Sequence, residues 1–276
     1  MLISFAKMQG LGNDFMVVDT ISQPIYFNES QIRKLADRHF GIGFDQLLLV
    51  EPPQQPNTDF HYRIFNADGK EVEQCGNGAR CLARFVKTMG LTWKYKLRIS
   101  TMKGIISARL HKDGNVTVDM GMPNFSPDKI PLRYAERAKE YNIEAEGVRY
   151  SVGSVSMGNP HCVYEVNDIK QAPVAKIGPL LCEHNVFPQK ANVGFVERVS
   201  EKEINLRVYE RGVGETLACG TGACAAVAVG ISQQKLSNKV KVNLPGGRLT
   251  IDWEGENHPL YMTGPAEFVF EGQIEI

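Results

Sequence analysis

Short apolar runs broken by turn residues recur along the chain. Phe15-Met-Val-Val18, Gln46-Leu-Leu-Leu-Val50, His61-Tyr-Arg-Ile-Phe65, Leu97-Arg-Ile-Ser100, Val116-Thr-Val118, Leu206-Arg-Val-Tyr209, Val240-Lys-Val242 and Leu249-Thr-Ile-Asp-Trp253 are rich in branched and aromatic side chains, which predicts strands. Helical signals are fewer. Asn28 with Gln31 forms a capping-box signature ahead of Ile32-Arg-Lys-Leu-Ala-Asp37. Two more helices are predicted from small or apolar residues three and four apart. One set is Ala79, Leu82, Ala83 and Val86, the other Ala223, Ala226, Val227 and Gly230, each read as one buried face. Many strands with one central helix in each half predict an α+β fold. Its two pseudo-symmetric domains would each be a curved, mainly antiparallel sheet wrapped around its helix.

The symmetry comes from an internal repeat. Arg63 to Ala79 aligns with Arg207 to Ala223 at an offset of 144, with identities at Arg, Glu, Cys, Gly, Gly and Ala. Gly12-Asn-Asp-Phe15 answers to Gly158-Asn-Pro-His161, and Gln46 to Asn192, both at 146. Met120-Gly-Met-Pro123 answers to Thr263-Gly-Pro265 at 143. So long a period excludes a solenoid and fits a duplicated domain. Ser126 to Val148 has no counterpart and, with its charged run from Arg133 to Glu146, reads as a solvated surface element between the halves.

Composition narrows the classes. The chain has 276 residues, enough for one large or two small domains, and 31 basic residues balance 31 acidic ones, so nothing points to nucleic acid or a membrane surface. The first ten residues lack the pattern of a signal peptide and no long apolar run occurs, so a cytoplasmic, soluble protein without membrane association is expected. Of six cysteines none forms a C-x-x-C pair, so no metal site is expected. Cys81, Cys162, Cys182 and Cys224 read as buried free thiols.

Cys75 and Cys219 differ. Each opens a Cys-Gly-x-Gly between a predicted strand and a predicted helix. Free N–H groups and the dipole at such a helix end favour negative charge, which would lower the thiol pKa and suit a substrate carboxylate. Two thiols at equivalent places of a repeat would face one cleft from opposite walls. One could take a proton from a carbon while the other returns one, inverting the centre without a cofactor. Two other classes stay open: a thiol redox protein using Cys75 and Cys219 as a disulfide, and a non-catalytic amino-acid binding protein.

At these motifs the chain resembles the diaminopimelate epimerase family. The segments are Lys7-Met-Gln-Gly-Leu-Gly-Asn-Asp-Phe15, Gly43-Phe-Asp-Gln46, Phe65-Asn-Ala-Asp-Gly69, Gln74-Cys-Gly-Asn-Gly-Ala-Arg80, Ser156-Met-Gly-Asn-Pro-His161, Tyr209-Glu-Arg-Gly212 and Ala218-Cys-Gly-Thr-Gly-Ala-Cys224, in family order across nearly the whole chain. The resemblance implies two halves, 1–118 and 119–263, with a last strand, 264–276, packing back on the first half and the active site in the cleft between them. It implies interconversion of LL- and meso-diaminopimelate, in lysine and peptidoglycan precursor biosynthesis, with no cofactor. Cys75 and Cys219 would be the acid and base, with Glu210 and His161 beside the reacting centre. Asn13, Gln46, Asn66, Gly76, Asn77, Asn159, Asn192, Glu210, Arg211, Gly220 and Thr221 would hold the substrate. Family members are often homodimers, some using a C-terminal tyrosine whose place Phe270 takes here. A proline-racemase-like activity on another amino acid is the nearest alternative within the same plan.

Overall fold

A computed structural model describes residues 1–72 and 76–276, so Cys75 lies outside the described residues. The chain divides into two compact units, Met1–Asp119 with Thr263–Ile276, and Met120–Met262.

The first unit runs β1 (Leu2–Gly10), β2 (Asn13–Asp19), α1 (Glu29–Ala36), β3 (Gln46–Glu51), β4 (Phe60–Asn66), β5 (Glu71–Val72), α2 (Gly76–Thr88), β6 (Lys96–Thr101), β7 (Gly104–Leu110) and β8 (Val116–Asp119). The second runs β9 (Tyr141–Ala145), β10 (Val148–Ser156), β11 (Pro160–Glu165), α3 (Val174–Cys182), β12 (Asn192–Ser200), β13 (Glu203–Glu210), β14 (Gly214–Thr216), α4 (Gly220–Ser232), β15 (Lys239–Leu244), β16 (Gly247–Asp252) and β17 (Tyr261–Gly264), the last crossing the unit boundary. β18 (Glu267–Glu275) returns to the first unit and pairs antiparallel with β1.

The pairings repeat. In the first unit β18, β1, β2, β3, β4, β6, β7 and β8 lie side by side, all antiparallel except β2–β3 and β4–β6. In the second, β9, β10, β11, β12, β13, β15 and β16 do the same, with β11–β12 and β13–β15 parallel. β1 and β8 both touch α2, and β10 and β16 both touch α4, so each sheet curls around its own helix. α1 and α3 cover the outer faces: Met16, Val18, Leu47 and Leu49 pack with Ile32 and Leu35 of α1 in one cluster, while Leu48 reaches α2 at Gly78. A sheet covered on both faces buries every residue of a strand, which is why Leu47 to Val50 is apolar without alternation.

Three sequence readings change. α4 is buried continuously from Gly222 to Gly230 and not along one face, as suits a helix apolar all round. It seats so closely on β10 that a side-chain carbon at Gly153 would lie 2.2 Å from Val229 Cγ1. Ser126 to Val148 is solvated along its charged run but is more than a connector: Ile130, Leu132, Tyr141 and Ile143 are buried in the core that packs α3, and the segment carries β9. Its counterpart is β18, which lies at the far end of the chain.

The Arg and Glu shared by the repeat are explained by one ion pair made twice. Arg63 grips Glu71 with Nε–Oε1 and Nη2–Oε2 both at 2.8 Å, and Arg207 grips Glu215 at 2.6 and 2.9 Å. Each pair ties the strand before the Cys-Gly-x-Gly to the short strand leading into it, β4 to β5 and β13 to β14. Arg207 also donates to the carbonyls of Ile169 and Ala172, both at 3.1 Å, which anchors the start of α3. Arg207→Met is therefore expected to lower unfolding free energy by about 1–2 kcal/mol, since it removes a two-pronged ion pair and two hydrogen bonds to backbone carbonyls in a partly buried place. Urea denaturation checks this, and an unchanged midpoint would refute it.

Among the described residues no helix is long and apolar enough to cross a membrane. Phe270 on β18 is half exposed, with its ring edge-on to Phe5 at 6.0 Å.

Candidate functional site

In the second unit the chemistry gathers at the N-terminus of α4. Cys219 is the residue before the helix, in extended conformation (φ −115°, ψ 107°). It is a free thiol, 4% exposed. Sγ donates to Glu210 Oε2 at 3.1 Å and lies 3.6 Å from Thr221 Oγ1. The other Glu210 oxygen accepts from Thr216 Oγ1 at 2.6 Å. The β13–β14 hairpin, with Glu210 opposite Gly214 and Val208 opposite Thr216, thus sets the carboxylate between a hydroxyl and the thiol.

This corrects the expectation that the helix end lowers the thiol pKa. Burial pushes the Cys219 thiol well above its ordinary range, and the neighbouring Glu210 carboxylate pushes it further by charge and by accepting the S–H. The helix end does act the other way, through the Gly222 N–H and through Thr221, but both oppose the shift without overcoming it. Desolvating a thiolate beside a carboxylate outweighs a partial charge of roughly half a unit at a helix terminus. Cys219 accordingly rests as a thiol, a proton donor.

A hydrogen-bonded chain leads on from Thr221. Asn159 Nδ2 donates to Thr221 Oγ1 at 3.4 Å, and Asn159 Oδ1 lies 3.1 Å from His161 Nε2, which calls for the tautomer protonated there. Asn159 follows Gly158, whose φ of 90° lets the β10–β11 connection turn tightly. His161 is 1% exposed, and burial, helped by the Arg211 charge, lowers its pKa to about 3, so its ring is neutral. Asn192 stands beside His161 in the parallel β11–β12 pair, and its Oδ1 accepts from the Arg211 backbone N–H at 2.9 Å. The Arg211 side chain is exposed and donates to the Gln189 carbonyl at 3.0 Å. Glu210, Cys219, Gly220, Thr221, Asn159, His161, Asn192 and Arg211 are thereby brought into one neighbourhood.

The first unit builds the equivalent place at α2. Asn77 Nδ2 donates to Asn13 Oδ1 at 3.3 Å, matching the Thr221–Asn159 contact at offsets of 144 and 146. Gly76 opens α2 as Gly220 opens α4. Gln46 and Asn66 face each other across β3–β4, and Gln46 Nε2 donates to Asn66 Oδ1 at 2.9 Å. Gln46 Oε1 is buried and meets no donor among the described residues, a costly state unless a ligand N–H supplies one. Cys75 itself lies outside the described residues.

Sequence reasoning gave no role to Thr216, nor to four charged residues around Asn13. Asn13 Nδ2 donates to Asp45 Oδ2 at 2.9 Å. Arg38 forks onto Asp14 at 2.9 and 2.8 Å and reaches Asp45 at 2.9 Å. Lys7 adds a 2.6 Å pair to Asp14 and donates to the Gly43 carbonyl. Burial opposes the charge on Asp14, but Arg38, Lys7 and the Asp45 N–H together hold its carboxyl down at about 2. The available signal was Lys7, a lone cation inside the otherwise apolar Phe5-Ala-Lys-Met8. Among the described residues no group of three His, Cys, Asp or Glu side chains is placed to hold a metal ion.

The family model described as "Diaminopimelate epimerase" matches residues 5–126 and 153–269. Among solved structures, a hydroxyproline epimerase from Agrobacterium vitis with bound trans-4-OH-L-proline superposes with a TM-score of 0.72 at 13% identity, covering 99% of this chain and 92% of that one. A phenazine biosynthesis protein of the PhzF family from Bacillus anthracis gives 0.70 at 18% identity, covering 100% of both chains. A probable proline racemase from Agrobacterium radiobacter K84 gives 0.70 at 14%, covering 99% and 93%. These likenesses establish the shared fold.

Proposed function

The chain belongs to the diaminopimelate epimerase family, and we propose that it interconverts LL- and meso-diaminopimelate by two-cysteine proton transfer without a cofactor. The observation that carries this reading is Cys219: a buried thiol at a helix N-terminus, donating to Glu210 at 3.1 Å and held in its acid form.

Inversion needs a base on one face of the α-carbon and an acid on the other. In the direction where Cys219 is the acid, the Cys75 thiolate removes the α-proton and leaves a planar carbanion, its charge spread into the α-carboxylate. Cys219 then delivers its proton to the opposite face, and the two thiols exchange roles in the reverse reaction. No electron is lost or gained overall. Proton transfer by a positioned group contributes roughly 10²–10⁴-fold. The rest of the acceleration comes from N–H groups at a helix end, aimed at the carboxylate as its charge grows. We assign that role to Gly76, Asn77, Gly220 and Thr221.

Glu210 and neutral His161 would meet the α-ammonium group, and Asn13, Asn159 and Asn192 the amino and carboxylate groups. Gln46, whose oxygen meets no donor among the described residues, and Asn66 would take the substrate's distal end together with Arg211, whose guanidinium can fork onto a carboxylate. That set favours a substrate charged at both ends over a proline-like one. Neither the redox nor the binding-only alternative needs a buried thiol fixed on a carboxylate.

The test is incubation with LL-diaminopimelate in deuterated water. The expected product is the meso form carrying deuterium at the inverted carbon. Turnover of trans-4-hydroxy-L-proline in preference would move the substrate to the proline type. Inversion without deuterium uptake would exclude exchange-competent thiols.

A further inference from the structure

The two units share their topology but not their charges. At the offset of 146 that relates the β2–β3 and β11–β12 pairs, Asp14 and Asp45 correspond to Pro160 and Ala191. The second unit therefore folds without these carboxylates, and pairing them cannot be a requirement of the scaffold. Burying charge is costly unless it is fully paired, so their presence calls for another reason. The Lys7 side chain is 9% exposed and that of Asp14 16%, so both charges are largely removed from water.

The reason lies in what the cluster holds. A carboxylate only accepts hydrogen bonds, so Asp45 Oδ2, 2.9 Å from the Asn13 amide, must receive an N–H from it. Asn77 Nδ2, a donor 3.3 Å from the other side of that amide, requires the oxygen there. Asp45 is in turn fixed at both oxygens: Oδ2 accepts from the Asp14 backbone N–H at 3.1 Å and Oδ1 from Arg38 at 2.9 Å. Asp14 closes the loop, its Oδ1 accepting from the Asp45 backbone N–H at 2.9 Å. We propose that Asp45 and Asp14, braced by Arg38 and Lys7, are positioning residues that lock the Asn13 side chain in one amide orientation for the substrate. Asn159, the corresponding residue, is oriented instead by Thr221 and His161. The two halves thus reach one end by different chemistry.

The inference rests on the proposed function only in giving Asn13 a substrate to bind, and two measurements separate the claims. The first is a double-mutant cycle in kcat/KM for LL-diaminopimelate. Asp45→Asn is close to isosteric and half exposed, and it should fold. It can offer an N–H where Asn13 needs an acceptor, so a loss of about 10–100-fold is expected, whereas in an Asn13→Ala background the same change should cost less than about threefold. Arg38→Lys, which keeps the charge but loses the fork, should cost several-fold and show the same dependence on Asn13. Losses that multiply in the double variants would overturn the proposal.

The second measurement needs no activity. With ¹⁵N-labelled asparagine, the Asn13 side-chain NH₂ should show two well-separated proton shifts in the wild type, one proton being bonded to a carboxylate. The separation should collapse in Asp45→Asn. An unchanged Asn13 signal would overturn the proposal even for an active enzyme. A wild type that turns over no amino acid would sink the proposed function while leaving this readout to decide the positioning role.

Discussion

Replacing Cys219 with alanine is expected to cut the epimerisation of LL-diaminopimelate by at least about a thousandfold while leaving the protein folded. The size follows from what the thiol does. Its proton is held by burial and by Glu210, against the pull of the helix end. Among the described residues no other group at the N-terminus of α4 can replace it: Thr221 Oγ1, 3.6 Å from Sγ, is a far weaker acid, and Glu210 already accepts from Thr216 and from the thiol. Loss of a positioned acid removes about 10²–10⁴-fold by itself, and residues that act as a unit lose more together than a single transfer suggests. The structural cost is small, since one sulfur is removed at the start of a helix whose packing lies further along, from Ala223 to Gly230. Single-turnover assays beside thermal unfolding make the check. Activity within tenfold of wild type in a folded Cys219→Ala protein would end the two-thiol mechanism.

How much of this was legible in the sequence depended on whether the information was local. The capping box at Asn28 and Gln31 is present with both bonds, at 2.9 and 3.0 Å, because it needs only four consecutive residues. The repeat showed where chain order is kept, so Ile64 opposite Val72 recurs as Val208 opposite Thr216 at the offset of 144. It failed at the sheet edge, because the strand answering to β9 is β18, displaced to the end of the chain. Without a partner in order, Ser126 to Val148 looked like a surface connector although Tyr141 and Ile143 are core residues. The thiol at Cys219 was legible as to place but not as to charge. The helix signal is written in Cys-Gly-Thr-Gly, whereas burial and the approach of Glu210 arise from a hairpin closed by Arg207 and Glu215. The Asn13 cluster was hidden for a like reason, since it joins three separate stretches of chain.

Stability should fall as the pH is lowered through the range in which an ordinary histidine titrates, and His161 should account for a large share of it. In the unfolded chain this ring takes up a proton near pH 6.5; in the folded protein burial and the Arg211 charge lower its pKa to about 3. Above pH 6.5 the ring is neutral in both states and contributes no pH dependence. Between 6.5 and 3 the unfolded state alone binds the proton, so unfolding becomes steadily easier, and below 3 the loss is complete. At 1.36 kcal/mol per pH unit the full difference is on the order of 5 kcal/mol, a large fraction of a typical domain's stability. The repeat supplies the control. The position corresponding to His161 holds Phe15, which is fully buried in the same strand of the other unit. His161→Phe should therefore fold, pay for the lost hydrogen bond to Asn159 at neutral pH, and lose less stability than wild type as the pH drops. Asp14, held near 2, adds its own decline only at lower pH and is common to both proteins, so it cancels in the difference. Urea midpoints from pH 7.5 to 4.5 decide the matter: parallel curves for the two proteins would show that His161 takes up its proton in the folded state, and that the neutral ring assigned to the site is wrong.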